Sequence, residues 1–190
     1  MKVFIDHNVT APAIARIGGI TNPKDLAEGP STAHSELESV RIAFREVFAG
    51  NVTLVTSEYC LETLRRKLVT GGRDFAAISE QQAAQSVAVL RRIAILTGGL
   101  VADEQVRASV ATARKVAGRN VGDVRGQVDF EDLTVLATLI GAQVDEHDIS
   151  IVVSNDVGIA NCQRGLLSRM IGVFSTNRWT NAYKDAAIAA

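Results

Sequence analysis

Four short runs rich in β-branched and aromatic residues, set between long amphipathic stretches, constrain this chain most. They are Val3-Phe4-Ile5, Val52-Thr53-Leu54-Val55-Thr56, Ile149-Ser150-Ile151-Val152-Val153-Ser154 and the weaker Ile171-Gly172-Val173-Phe174. Runs of this kind, bounded by polar residues, read as buried strands. Between them, Ser35 to Phe48 sets Leu37, Val40, Phe44 and Val47 on one stripe with charges opposite, the spacing of a helix. Ser79 to Leu96, Glu104 to Ala117 and Phe130 to Ala142 have similar spacing. Strands alternating with helices predict an α/β domain, its sheet mainly parallel and its helices packed around it. At 190 residues the chain lies within the range of one domain, so residues 1–190 are read as a single unit. Residues 18–30, GGITNPKDLAEGP, hold two of the three prolines and read as a mobile loop or insertion. Residues 118–127, GRNVGDVRGQ, are a second flexible candidate.

Composition narrows the classes of function. The chain is 47% apolar and 22% charged with a net charge of −1, which argues against binding nucleic acid by bulk electrostatics and leaves room for a local basic face. Cys60 and Cys162 lie in apolar, helix-like sequence without metal-ligand spacing, and read as buried reduced thiols. The opening MKVFIDHNV lacks the pattern of a signal peptide. No apolar stretch reaches the ~20 residues of a membrane span. The expectation is a cytoplasmic protein without a membrane partner.

The carboxylates fall at telling places. Asp6 ends the first run, where open α/β sheets place ligands, although Asp is also a common turn residue. Strand Val52 to Thr56 leads into SEYCLETLRRKL, with Ser57 as N-cap and Leu61, Leu64 and Leu68 as the buried stripe. Glu62 lies beside that stripe, and its plainest role is an i,i+4 pair with Arg66. In VDFEDLTVLATLIGAQ, Asp129 is a natural N-cap and Asp132 follows in the first turn of a helix apolar around most of its circumference. Asp156 stands just past the third run, again as a turn residue or a site residue. Like charges held together destabilise a fold unless a proton or a cation relieves them. Four carboxylates at strand ends and helix starts therefore suggest a divalent metal site, and oxygen-only ligands suit Mg²⁺ or Mn²⁺ better than Zn²⁺.

The order of these motifs resembles the PIN-domain ribonucleases: Asp6 and Asn8 in FIDHNV, Glu62 in SEYCLETLRRKL, Asp132 in EDLTVLATL, and Ser154 and Asp156 in VVSND. The resemblance covers nearly the whole chain. It implies a three-layer PIN-like fold, with a central mostly parallel sheet of four to five strands flanked by helices. It also implies a metal-dependent endoribonuclease that hydrolyses RNA phosphodiester bonds, Asp6, Glu62, Asp132 and Asp156 being catalytic and holding Mg²⁺ or Mn²⁺. Asn8, Ser154 and Asp129 would support them, and Arg65, Arg66 and Lys67 form a basic run that reads as RNA contacts or as a solvated helix face. Arg114, Lys115 and Arg119 form a second basic cluster. RNA is the implied partner, while an antitoxin, as in the VapC-type toxins of this family, and a homodimer stay open. His7 and the 18–30 stretch depart from the family pattern.

Two other classes compete. A phosphatase of the haloacid dehalogenase type needs Asp-x-Asp at the first strand, and here the second position is Asn8. A catalytically silent PIN-like binding or assembly module keeps the fold without the chemistry. A dinucleotide-binding protein fits poorly, because no G-x-G-x-x-G follows the first run.

Overall fold

The computed structural model describes residues 1–30, 32–122, 124, 126–143 and 148–189, with side chains followed to Tyr183. In chain order, β1 (Lys2–Ile5) runs into α1 (His7–Arg16), then come α2 (Ser35–Phe48), β2 (Thr53–Leu54), β3 (Thr56–Ser57), α3 (Glu58–Thr70) and α4 (Glu80–Leu96). They are followed by β4 (Leu100–Val101), α5 (Asp103–Ala117), α6 (Phe130–Gly141), β5 (Ser150–Val153), α7 (Val157–Asn161), α8 (Gln163–Leu167), β6 (Ile171–Phe174) and α9 (Thr176–Ala189).

The fold is α/β in three layers, as the alternation predicts. The central sheet has the order β2-β1-β5-β6, and every pairing in it is parallel. The two-residue period of a strand divides the core. Val3, Ile5, Ile151 and Val153 face a cluster with residues of α1, α2, α3, α4 and α9, among them Ile14, Phe44, Leu68, Leu90 and Trp179. Phe4 and Val152 face the opposite cluster, built from α5, α6, α7 and α8. Strands covered on both faces must be apolar on both, which is why these runs read as continuous rather than alternating.

The structure departs from expectation in several elements. The run Val52 to Thr56 is two short strands rather than one. Val55 N still donates to Val3 O at 2.8 Å, but Thr56 N donates to Gly99 O at 3.0 Å, so the chain leaves β1 and pairs with β4. Gly99 permits this closeness: a Cβ there would stand 2.0 Å from Leu54 O. Periodicity does not expose β4, whose pairing covers two residues. Nor does it expose α1, which starts directly after Asp6 and contains Pro12. The 18–30 stretch carries a 3₁₀ helix at Pro23–Leu26 capped by Asn22, and Ile20 and Leu26 are buried. In the 118–127 stretch, Gly118–Asn120 is a 3₁₀ turn and Val121 bridges to Val128; Asp123 and Arg125 lie outside the described residues.

Asp6 N donates to Val153 O and Ser154 N to Phe174 O, so β1, β5 and β6 end level. Helix α6 runs back against them: Lys2 Nζ, at the start of β1, donates to Ala142 O past the helix's last turn. The first turn of α6 therefore lies at the carboxyl end of the strands. Among the described residues, no helix is long and apolar enough to cross a membrane.

Candidate functional site

Three helix starts meet at that end of the sheet, and an aspartate heads each. Asp6, in extended conformation, caps α1: its Oδ1 accepts from His7 N at 2.6 Å. Asp129 caps α6, its Oδ1 accepting from Asp132 N at 2.9 Å while Asp132 Oδ2 accepts from Asp129 N at 3.3 Å. This reciprocal capping box is the one the S/T/D-x-x-acid spacing predicts. Asp156 caps α7 through Oδ1, which accepts from Gly158 N at 2.6 Å and Ile159 N at 3.2 Å. Gly158 is required there, since a Cβ would sit 2.4 Å from Gln127 O.

Capping and ligand binding do not compete for the same atoms. Among the described residues, Asp132 Oδ1 and Asp156 Oδ2 have no hydrogen-bond partner, and each carboxylate thus keeps an oxygen to offer. Asp6 is only 3% exposed and uses both oxygens, Oδ2 accepting from Ser154 Oγ at 2.6 Å. Ser154 Oγ in turn accepts from Asp156 N at 2.9 Å and from Asn8 Nδ2 at 3.4 Å. Asn8 Oδ1 accepts from Asn155 N at 3.4 Å, and Asn155 Oδ1 accepts from Thr176 N and Thr176 Oγ1 at 3.1 Å. One network thereby fixes the ends of β1, β5 and β6 relative to each other. Asn8 and Ser154, both singled out in the sequence, lie in this network. Asn155 and Thr176 join them without any sequence signal beyond lying at strand ends.

The electrostatics show which carboxylates are neighbours. Burial pushes the Asp132 carboxyl up, and the charges of Asp156, Asp129 and Asp6 add to it, taking it to about 7. The same neighbourhood reaches Cys162, whose thiol is raised to about 11 by burial and by Asp132 and Asp156. Asp6 behaves oppositely. Burial opposes its ionisation, but hydrogen bonds from His7 and Ser154 and the His7 charge hold it below the usual carboxylate range. Burial likewise disfavours the His7 imidazolium, yet hydrogen bonds to Asp6 and Cys60 and the Asp6 charge raise it to about 10. His7 Nδ1 lies 3.4 Å from Asp6 Oδ1 and Nε2 lies 3.0 Å from Cys60 O. His7, a departure from the family pattern in the sequence, is thus the cation that compensates Asp6.

Glu62 stands apart from this set. Its side chain is 56% exposed and bound by Arg65 at 2.8 Å and 2.9 Å, an i,i+3 pair in place of the expected pair with Arg66. Arg65 also binds Glu80 of α4. Arg66 and Lys67 both reach Glu131 of α6, at 3.5 Å and 2.8 Å. The basic run on α3 therefore carries acidic partners. Beside it, a groove of about 280 Å³ extends from His7 and Asn8 past Arg16, Lys67 and Arg73.

These aspartates offer oxygen donors of the kind a hard divalent cation takes. Their chemistry fits: aspartate oxygens only, two of them unengaged, around a carboxyl whose ionisation is opposed by burial and by the neighbouring charges. Their spacing is open, for among the described residues no three His, Cys, Asp or Glu side chains gather closely enough to form a metal-holding group. No family model, curated protein or solved structure matches the chain.

Proposed function

We propose that the chain is a PIN-like, divalent-metal-dependent endoribonuclease acting at the carboxyl end of its sheet. The observation that carries this reading is the meeting of Asp6, Asp132 and Asp156 on adjacent strand and helix ends, where burial first, and then the charges of Asp156, Asp129 and Asp6, lift Asp132 to about 7. A fold tolerates such repulsion when a cation or proton relieves it, and functional sites are where such perturbed groups concentrate. Asp132 and Asp156 would hold Mg²⁺ or Mn²⁺, with Asp6 lending charge from below. When bound, the ion would activate a water and neutralise charge gathering on the phosphate. Asp6 orients Ser154, Ser154 fixes the Asp156 backbone, and Asn8 closes the network against the groove. Arg16 and Arg73 would hold the RNA backbone along that groove, whose lining also includes Glu36 and Asp74. The proposed setting is cytoplasmic, and nothing in this reading requires an antitoxin or a second copy of the chain.

A catalytically silent PIN-like binding module is the second reading. It is favoured by the engagement of Glu62 with Arg65 and by the open spacing of the acids. Cleavage of a purified RNA with added Mn²⁺ separates the two. Loss of cleavage in Asp132→Asn and Asp156→Asn supports the nuclease. RNA bound but never cut by the parent supports the silent module.

A further inference from the structure

A second groove opens beside the first turn of α6, lined by residues of α3, α5 and α6. Its volume is about 150 Å³, and Tyr59, Val106, Arg107, Val110, Arg114 and Phe130 are among its lining residues. That is well below the roughly 300–1,000 Å³ of pockets that enclose a drug-sized ligand; a single flat ring system suits it.

Phe130 is the unusual member. It is the first residue of α6 and 78% exposed, so it contributes little to the core. It is also two residues from Asp132 within one helical turn, ~5.4 Å of axis. Tyr59 is 39% exposed, and its hydroxyl accepts from Arg107 Nε at 3.1 Å and Nη2 at 2.9 Å. Arg107 is thereby tied to the Tyr59 hydroxyl beside the groove. Arg114 lies two turns on along the same face of α5 and makes no ion pair among the described residues. Asp103 and Glu104, one turn before Arg107, offset part of its charge, while Lys115 and Arg119 extend the positive end.

The chemistry selects the occupant. An apolar protein segment laid here would cover two arginines without supplying counter-charges, which is costly. Exposed aromatic rings interleaved with arginines instead match a single-stranded nucleic acid, whose bases stack while its phosphates meet the guanidinium groups. We infer that this groove takes one unpaired base of a single-stranded RNA, stacked on Phe130, with Arg107 and Arg114 on the flanking phosphates. The inference rests on the nuclease reading for its placement beside the scissile phosphate, but not for its binding chemistry. It favours a single-stranded substrate, because a paired base would first have to be flipped out of its stack at a cost of a few kcal/mol.

The test is fluorescence anisotropy of a labelled oligouridylate in chelator, which prevents cleavage, alongside the same strand in a duplex. Phe130→Ala is expected to weaken binding by about 5- to 150-fold, the range for loss of one base–aromatic stack. Phe130→Trp should restore it, and Arg114→Glu should weaken it and flatten its salt dependence. Thermal melts check that each variant is folded. If Phe130→Ala binds the strand as the parent does, or the parent prefers the duplex, the inference is overturned. It is equally overturned if Phe130→Ala only converts a dimer to a monomer. Stacking-dependent binding without Mn²⁺-dependent cleavage would sink the nuclease reading and leave the groove. Cleavage lost in Asp132→Asn but unchanged in KM for Phe130→Ala would do the reverse.

Discussion

At the strand ends, Asp6, Asp132 and Asp156 are surrounded by hydroxyls, backbone N–H groups and one another, whereas on α3 Glu58 and Glu62 each face an arginine. The surface acids bind Arg91 and Arg65, and Glu62 is held below its usual range mainly by its hydrogen bond from Arg65. Exposed pairs of this kind are worth little, typically under about 1 kcal/mol. The strand-end acids are poorer in counter-charges. His7 compensates Asp6 alone, and Asp132 is left to keep its proton near neutral pH. The carboxylate group therefore does two different things in one molecule. Where cations are near, it decorates a helix; where they are missing and water is scarce, it stores repulsion that an added cation can release.

The sharpest way to break this contrast is to exchange charge for amide on each side. Asp132→Asn and Asp156→Asn should each lower Mn²⁺-dependent RNA cleavage by about 10²-fold or more, as expected when a charge-stabilising group is lost. Steady-state assays on one RNA measure this. An equal loss in Glu62→Gln would erase the distinction and return Glu62 to the site.

Gly158→Ala probes the scaffold under Asp156. The added Cβ would press on Gln127 O at 2.4 Å and on Asp156 Oδ1 at 2.9 Å, so unfolding free energy should fall by about 1–3 kcal/mol. Urea titration reads it, and a variant as stable as the parent would mean that α7 moves freely.

Burial of Asp132, together with the charges around it, also sets a pH dependence. The Asp132 carboxyl is raised from 3.8 to about 7, so between those values the folded state holds more protons than the unfolded one. Its contribution is then fully present below about pH 4 and is lost as pH rises through about 7. In chelator, the melting temperature of Asp132→Asn should fall less steeply across that window than the parent's. Added Mn²⁺ should raise the parent's melting temperature most at the upper end, where the ion replaces the missing proton. Parallel slopes in parent and variant would place the repulsion elsewhere.

The smallest effects belong to the two remaining acids. Glu62→Gln should shift stability by less than about 1 kcal/mol, given its exposure, and leave cleavage within a few-fold. Asp129→Asn should cost only a few tenths of a kcal/mol, because Asn caps about as well as Asp. Cleavage lost in Asp129→Asn would move that residue from cap to ligand.

Much of this molecule follows from local pattern. The stripe of Leu37, Val40, Phe44 and Val47, the cap at Ser57 and the capping box of Asp129 with Asp132 are all formed within a few residues, and the structure has each of them. The apolar runs ending in Asp6 and Ser154 likewise become β1 and β5. What local pattern could not decide is which distant groups meet. Ser154 donates to Asp6 across 148 positions, a contact set by β5 lying next to β1 in the sheet. The run Val52 to Thr56 changes partners midway because Gly99 lets β4 approach. Glu62 has Arg66 four positions on and Arg65 three on, and Arg65 also reaches Glu80 from the helix packed alongside. Phe130 looks in sequence like one more apolar residue at a helix start; only the placing of α3 and α5 beside α6 leaves its ring exposed between Tyr59 and two arginines. Periodicity and capping are properties of neighbours along the chain and are written there. Charge compensation and exposure are properties of neighbours in space, and the sheet order and helix packing determine them.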